Sequence, residues 1–253
     1  MRYRGIFKAT LVSLVVVGAA CSSSGSTAKA AAKPSPATRV TAAPPTTVEK
    51  PKPYDPTKPV DLGGEAGVTK AEQTRAETLL RTTIKDLPQF AEPATAEANG
   101  YRSIGDSVTG DEHYINWSYV NDGDILDPNK PESLVYEMKD NKKTLAAAMF
   151  MLPFGSGFGD VPEVGGALTQ WHVHRDLCLT DDPVQKVVST LTSIDGGCPP
   201  HTTKAGNTPM LHVWIVPNAC GPFAALEGVG AGQVPAGQTR LCDTAHGSGA
   251  TVG

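Results

Sequence analysis

Between Ser22 and about Val60 the chain carries almost no large apolar side chain, and that gap decides where a core can form. The stretch is built mainly of Ala, Thr, Pro, Ser and Lys. Folding must repay the conformational entropy of every residue it orders, and a segment with so little apolar surface cannot do so. Its prolines, among them Pro34, Pro36, Pro44, Pro45, Pro51 and Pro53, bias it toward extended polyproline II, at up to about 3.1 Å per residue. Residues 21–60 are therefore expected as a linker. Residues 61–253 are the stretch long enough for one globular domain with its own core.

Ahead of the linker stand Arg2, Arg4 and Lys8, then an apolar run from Ala9 to Val17, then Gly18, Ala19 and Ala20 before Cys21. That order is the order of a signal peptide, and the run is shorter than the roughly 20 residues a bilayer core requires. Small residues directly before a cysteine, followed by the polar tether Ser22, Ser23, Ser24, Gly25, Ser26 and Thr27, resemble the lipobox of bacterial lipoproteins. The resemblance implies that residues 1–20 are removed. It also implies that the Cys21 thiol receives a diacylglycerol and that the domain stands on the extracytoplasmic face of the cell membrane. Gly18 departs from the leucine usual at that position.

The chain is slightly acidic, with a formal net charge of -4. Lys29, Lys33, Arg39, Lys50, Lys52 and Lys58 give the tether a mild positive charge, but the domain carries no Lys/Arg cluster, so nucleic acid is not an expected partner. No feature of the sequence identifies a protein partner.

Setting Cys21 aside, four of the five cysteines remain: Cys178, Cys198, Cys220 and Cys242. In an oxidising compartment an even number of cysteines reads first as disulfides, with three pairings possible. Cys178 with Cys198 and Cys220 with Cys242 is the favoured pairing, because each closes a loop of about 20 residues, a constraint worth about 3 kcal/mol. Zinc ligation by all four is the competitor, weakened by the absence of any C-x-x-C spacing.

Thr69 followed by Glu72 forms a capping-box pattern, and Ala76, Leu79, Leu80, Thr83, Ile84 and Leu87 recur at helical spacing. One helix is predicted from about Lys70 to Asp86, with a second, short one from Pro93 to Asn99-Gly100. Beyond Gly100 short apolar or alternating runs are punctuated by Gly, Pro, Asp and Asn, the texture of antiparallel strands and turns. Strands are predicted near residues 113–120, 133–138, 144–152, 169–178 and 210–216. A helix followed by sheet makes the class α+β, mainly antiparallel and stapled by disulfides.

The six histidines are unevenly placed. His172 and His174 form an H-x-H, and in a strand alternate side chains share a face. The same alternation puts Met210, His212, Trp214 and Val216 on one face of their strand, while His113 begins another strand and Glu137 ends a third. Imidazoles from three strands are the material of a transition-metal site for zinc or copper through His172, His174, His212 and His113. Met210 adds a soft donor that favours copper if it points at the site. Glu137 is the candidate general base if the site activates a bound water. His201 and His246 lie in Gly/Pro-rich surroundings and are expected in loops.

The strings Asn99-Gly100-Tyr101, His113-Tyr114-Ile115-Asn116 and Pro131-Glu132-Ser133-Leu134-Val135-Tyr136-Glu137, with Leu211-His212-Val213-Trp214 running on to Gly221-Pro222-Phe223-Ala224, resemble an uncharacterised family of exported bacterial proteins. The resemblance covers about Gly100 to Ala224. It implies a single domain and brings no activity or cofactor. Gly155-Ser156-Gly157 is not a G-x-S-x-G elbow, and neither a dinucleotide fingerprint nor a P-loop lysine is present. Three functions stay open: a metal-handling or metal-sensing lipoprotein, a metal-dependent hydrolytic enzyme on the same histidines, and a metal-free binding or structural module of the envelope.

Overall fold

The computed structural model describes residues 52–225, apart from 108–109, 183–184 and 194. The chain divides into Met1–Thr46, which lies outside the described residues, and Thr47–Gly253. The signal segment, Cys21 and most of the linker are thus outside the described residues, as are Cys242 and His246. Among the described residues no helix is long and apolar enough to cross a membrane.

Helix α1 spans Lys70–Asp86, and both halves of the capping box at its start are made: the Thr69 hydroxyl accepts from the Glu72 N–H, and the Glu72 carboxylate accepts from the Thr69 N–H. Ala76, Leu79, Leu80 and Thr83 are its buried stripe. A 3-10 turn over Leu87–Phe90 follows, with Pro88 near its start, and then α2 over Pro93–Ala98. Gly100 closes that helix at φ +91°, a left-handed conformation that costs a glycine nothing.

Strands β1 (Arg102–Ser103), β2 (Asp111–Ile115), β3 (Ser133–Lys139), β4 (Lys142–Met151) and, after a long excursion, β8 (Met210–Trp214) form one antiparallel sheet in the order β1-β2-β3-β4-β8. The excursion holds β5 (Leu177–Thr180), β6 (Val188–Leu191) and β7 (Thr202–Lys204), a second, three-stranded antiparallel sheet in the order β6-β5-β7. The structure is α+β and mainly antiparallel, as the sequence predicts. Asp140 and Asn141 both adopt positive φ, the twist that lets a two-residue loop join β3 to β4.

Both faces of the large sheet are buried. One face packs Tyr114, Leu134, Tyr136, Ala148, Phe150, Leu211 and Val213 into the same core as the buried stripe of α1. The opposite face carries Ile115, Val135, Ala147, Met149, Met151, Met210 and Trp214. The small sheet sits over this second face: the Val188 N–H donates to the Ile104 carbonyl at 2.6 Å, and residues of β5 and β6 share a cavity wall with residues of β2, β4 and β8.

Cys178 and Cys198 are joined in a disulfide that spans 20 residues and ties β5 to the loop before β7. Cys220 is disulfide-bonded as well, and its expected partner Cys242 lies outside the described residues. Tyr54 is buried and pairs through backbone hydrogen bonds with Asn218, so packing against the domain begins inside the stretch read as linker.

Three predicted strands are shorter than expected, the one from Met210 ending at Trp214 rather than at Val216. The run from His113 ends at Ile115, because the Asn116 side chain accepts from the Ser118 N–H and its carbonyl from the Tyr119 N–H, which turns the chain. Residues 169–178 are not one strand. His172 makes a single bridge to Met210, after which the chain bends at Arg175-Asp176 and enters the other sheet as β5. A strand cannot stay in one sheet while its continuation covers that sheet's face.

Glu132, immediately before β3, is 1 % exposed, and its carboxylate accepts from the Met151 N–H at 3.0 Å. Burial pushes this carboxyl up to about 8 from an ordinary 4.5. The folded protein therefore holds a proton that the unfolded chain releases, and stability falls as pH rises from about 4.5 to about 8. Glu132→Gln keeps the shape without the ionisation. Its stability relative to the parent, measured by urea unfolding across that range, is expected to improve steadily with pH.

Candidate functional site

Strand register sets the histidines on one face. His113 lies opposite Val135, which lies opposite Ala147, which lies opposite Trp214. In the neighbouring row Ile115, Ser133, Met149 and His212 are paired in turn. His113 and His212 thus rise from the same face but from strands three intervals apart, about 14 Å on a flat sheet at about 4.8 Å per interval. Their Nε2 atoms are nonetheless 3.2 Å apart. The two side chains lean toward each other across the face, and the register shift between Val135 and Tyr136 marks a bulge in the strand between them, a feature that strengthens local twist. Ala147 contributes no bulk on the path between the two rings.

The H-x-H reaches the same place by a different route. His172 and Met210 exchange both backbone hydrogen bonds, at 3.0 and 2.8 Å, which sets His172 beside β8. The His172 ring stacks on His212 at a centroid distance of 4.8 Å and an interplanar angle of 16°. His174 stands edge-on to His172 at 5.3 Å and 86°. His212 also stacks against Trp214 at 5.6 Å. All four imidazoles that the sequence singles out are buried and adjacent.

Two of these rings are oriented by acceptors behind them. Asp106 accepts from the His113 backbone N–H at 2.9 Å with Oδ1, and its Oδ2 lies 2.6 Å from His113 Nδ1. A carboxylate only accepts, so Nδ1 carries the proton and donates, and Nε2 is the atom turned toward His212. Burial opposes charge on the Asp106 carboxyl, yet His113 beside it holds its pKa below the ordinary range. Burial likewise opposes protonation of His113, but Asp106 outweighs it and the net shift is upward. Behind His172, the Gln170 carbonyl lies 3.2 Å from Nδ1. Backing of this kind fixes the tautomer of a ligating histidine and raises its basicity.

The separation of the two Nε2 atoms has a simple reading. Bonds of about 2.0–2.1 Å to one tetrahedral ion place two nitrogens about 3.3 Å apart. The His113–His212 pair is close to that edge length. Among the described residues, no set of three or more histidine, cysteine, aspartate or glutamate side chains is already arranged to hold a metal ion. Parallel rings at 4.8 Å do not both aim at one point, so His172 and His212 cannot share an ion without one of them turning. His174 and His113 both face a cavity of about 300 Å³ between the two sheets, where a third ligand has room to swing. Met149, Met151 and Met210 line the same cavity, with Ile115 and Leu177 beside them. Trp117 stacks on Phe154 in its wall at 6.1 Å.

Glu137 is exposed at the end of β3 and is not among the residues that line this cavity. His201 is an exposed loop residue at φ +63°. Sequence reasoning missed Asp106, which has no periodic relation to His113 and is returned to it only by the turn between β1 and β2. It also missed the cavity, whose far wall is built from β6, which the sequence did not suggest, and from β5, of which the predicted strand held only Leu177 and Cys178.

Comparisons with protein-family models, curated proteins and solved structures find no match to this chain.

Replacing Asp106 by Asn removes the charge while keeping an acceptor for the backbone N–H. The His113 pKa, followed by NMR of its ring protons, is expected to fall. A His113 pKa that does not move would mean that Asp106 does not set its protonation.

Proposed function

We propose that the protein is a membrane-anchored extracytoplasmic lipoprotein whose globular domain binds a transition metal, for handling or sensing. The observation that carries the metal part is the His113–His212 pair: two buried imidazoles, Nε2 atoms 3.2 Å apart, one of them held from behind by a carboxylate. His174 is the third donor, reached by a ring rotation into the cavity, and His172 supports His212 by stacking. Neutral imidazole suits zinc and copper alike.

The anchor part rests on the sequence before and at Cys21. Cys21→Ala is expected to abolish the diacylglycerol mass and release the protein from the membrane fraction. Retention of the variant with membranes would place the anchor elsewhere.

The metal part is tested by elemental content and thermal unfolding of protein prepared without a histidine tag. Zinc or copper is expected to raise the melting temperature in a concentration-dependent way, since an ion that binds only the folded state stabilises it by mass action. His212→Ala should remove that rise and His201→Ala should keep it. A parent protein that shows no rise with either ion would remove the metal-binding function. The cavity of about 300 Å³ favours one second reading in that event, a metal-free module that takes a small, mostly apolar ligand.

A hydrolytic enzyme on the same histidines finds less support. Its expected base, Glu137, is exposed and outside the cavity wall.

A further inference from the structure

We infer that the ion taken by this centre is copper(I), held by thioether sulfur from Met149, Met151 and Met210 together with the imidazoles. The inference rests on the metal-binding function proposed above and goes beyond it by naming the ion and three further ligands.

The methionines and histidines interleave through the register. Met149 of β4 lies directly opposite His212 of β8. Met151 lies opposite Met210, and Met210 is bridged in turn to His172. All three thioethers stand on the histidine-bearing face, and all three line the cavity that His113 and His174 also line. Of the four methionines among the described residues, Met149, Met151 and Met210 line this cavity and Met138 does not.

Donor chemistry separates the candidate ions. Thioether sulfur is soft and selects copper(I), whereas zinc prefers imidazole, thiolate and carboxylate. Among the described residues no thiolate is on offer, since Cys178, Cys198 and Cys220 are all in disulfides. The Asp106 carboxylate is engaged by His113. The donors that the histidines and methionines of the cavity wall bring are imidazoles and thioethers. The cost of removing an ion from water rises with the square of its charge, so a mostly apolar cavity with neutral donors admits a monovalent ion more readily than a divalent one.

Methionine also fills core gaps with no ligand in view, and leucine replacements separate the two roles because Leu for Met conserves volume. The full chain, made without a histidine tag, is titrated anaerobically with copper(I) supplied as its acetonitrile complex against bathocuproine disulfonate. Zinc affinity is measured in parallel against a zinc-binding dye. The parent is expected to withdraw copper(I) from the competitor. The combined M149L/M151L/M210L variant should lose about tenfold or more in copper(I) affinity, while its zinc affinity moves by less than about twofold. A copper–sulfur shell in the X-ray absorption of the parent should vanish in the variant. M210L and M149L alone, each expected to show part of the loss, serve if the triple variant does not fold.

Copper(I) affinity unchanged by the leucines, or a copper shell of nitrogen alone, would overturn the thioether assignment. Zinc binding without copper(I) binding would overturn it too, yet leave the imidazole centre standing. Binding of neither ion would remove the centre itself.

Discussion

Strand β4 is paired on both edges and buried on both faces, and the rest of the molecule is arranged around that fact. From Leu145 to Met151 every residue is buried, and the alanines at its middle let two layers approach the sheet closely. Such a strand admits one register. A slip of one residue against β3 or β8 would carry Phe150 to the histidine face and Met149 into the helix core, exchanging apolar packing for misplaced bulk on both sides. Because β8 is read against β4, the register that seats Leu211 and Val213 under α1 also puts His212 and Met210 on the opposite face, with Met210 in the cavity wall. The core therefore fixes the direction of the site's side chains without any contact to a ligand.

The edge of β8 shows how the second histidine pair is delivered. An exposed strand edge offers unpaired backbone groups and invites association with other chains. Here the edge is covered by two short segments. His172 pairs with Met210 at one end, and the Trp214 N–H donates to the Pro222 carbonyl at the other. Trp214 Nε1–H donates to the Ala224 carbonyl, and the Gln170 N–H to the Phe223 carbonyl, so the two covering segments also hold each other. His172 is thus placed by one rung of pairing rather than by a strand of its own. The chain is then free to turn away and build the small sheet that roofs the cavity, with Cys178 and Cys198 tying that roof together.

The parts legible in the sequence were those with a local period or cap. The Thr69–Glu72 box and the stripe through Leu79, Leu80 and Thr83 give α1 with its observed ends. Alternation and turn residues give β3, β4 and β8, including the Ala-rich strand that helical propensity alone would have claimed. Alternation also says that Met210 and His212 share a face, and that much of the site could be read. The approach of His113 to within hydrogen-bonding distance of His212 spans four strands and leaves no local mark. Nor does Asp106, which acts on His113 across a turn, or β6 and β7, whose Val188–Leu191 and Thr202–Lys204 are short, mostly exposed and weakly patterned.

What the arrangement implies for affinity follows from how many rings are already held. An ion that must order its ligands loses binding energy to the side-chain entropy it removes, and one that finds them placed does not. His113 is held by Asp106, and the His212 ring stacks against the His172 and Trp214 rings at 4.8 and 5.6 Å. His174 lines the cavity beside them. For the metal binding proposed above, the cluster would therefore be preorganised at its first two nitrogens and adaptable at the rest. In such a site the rigid pair sets where an ion sits. The flexible donors, imidazole or thioether, decide which ion remains there.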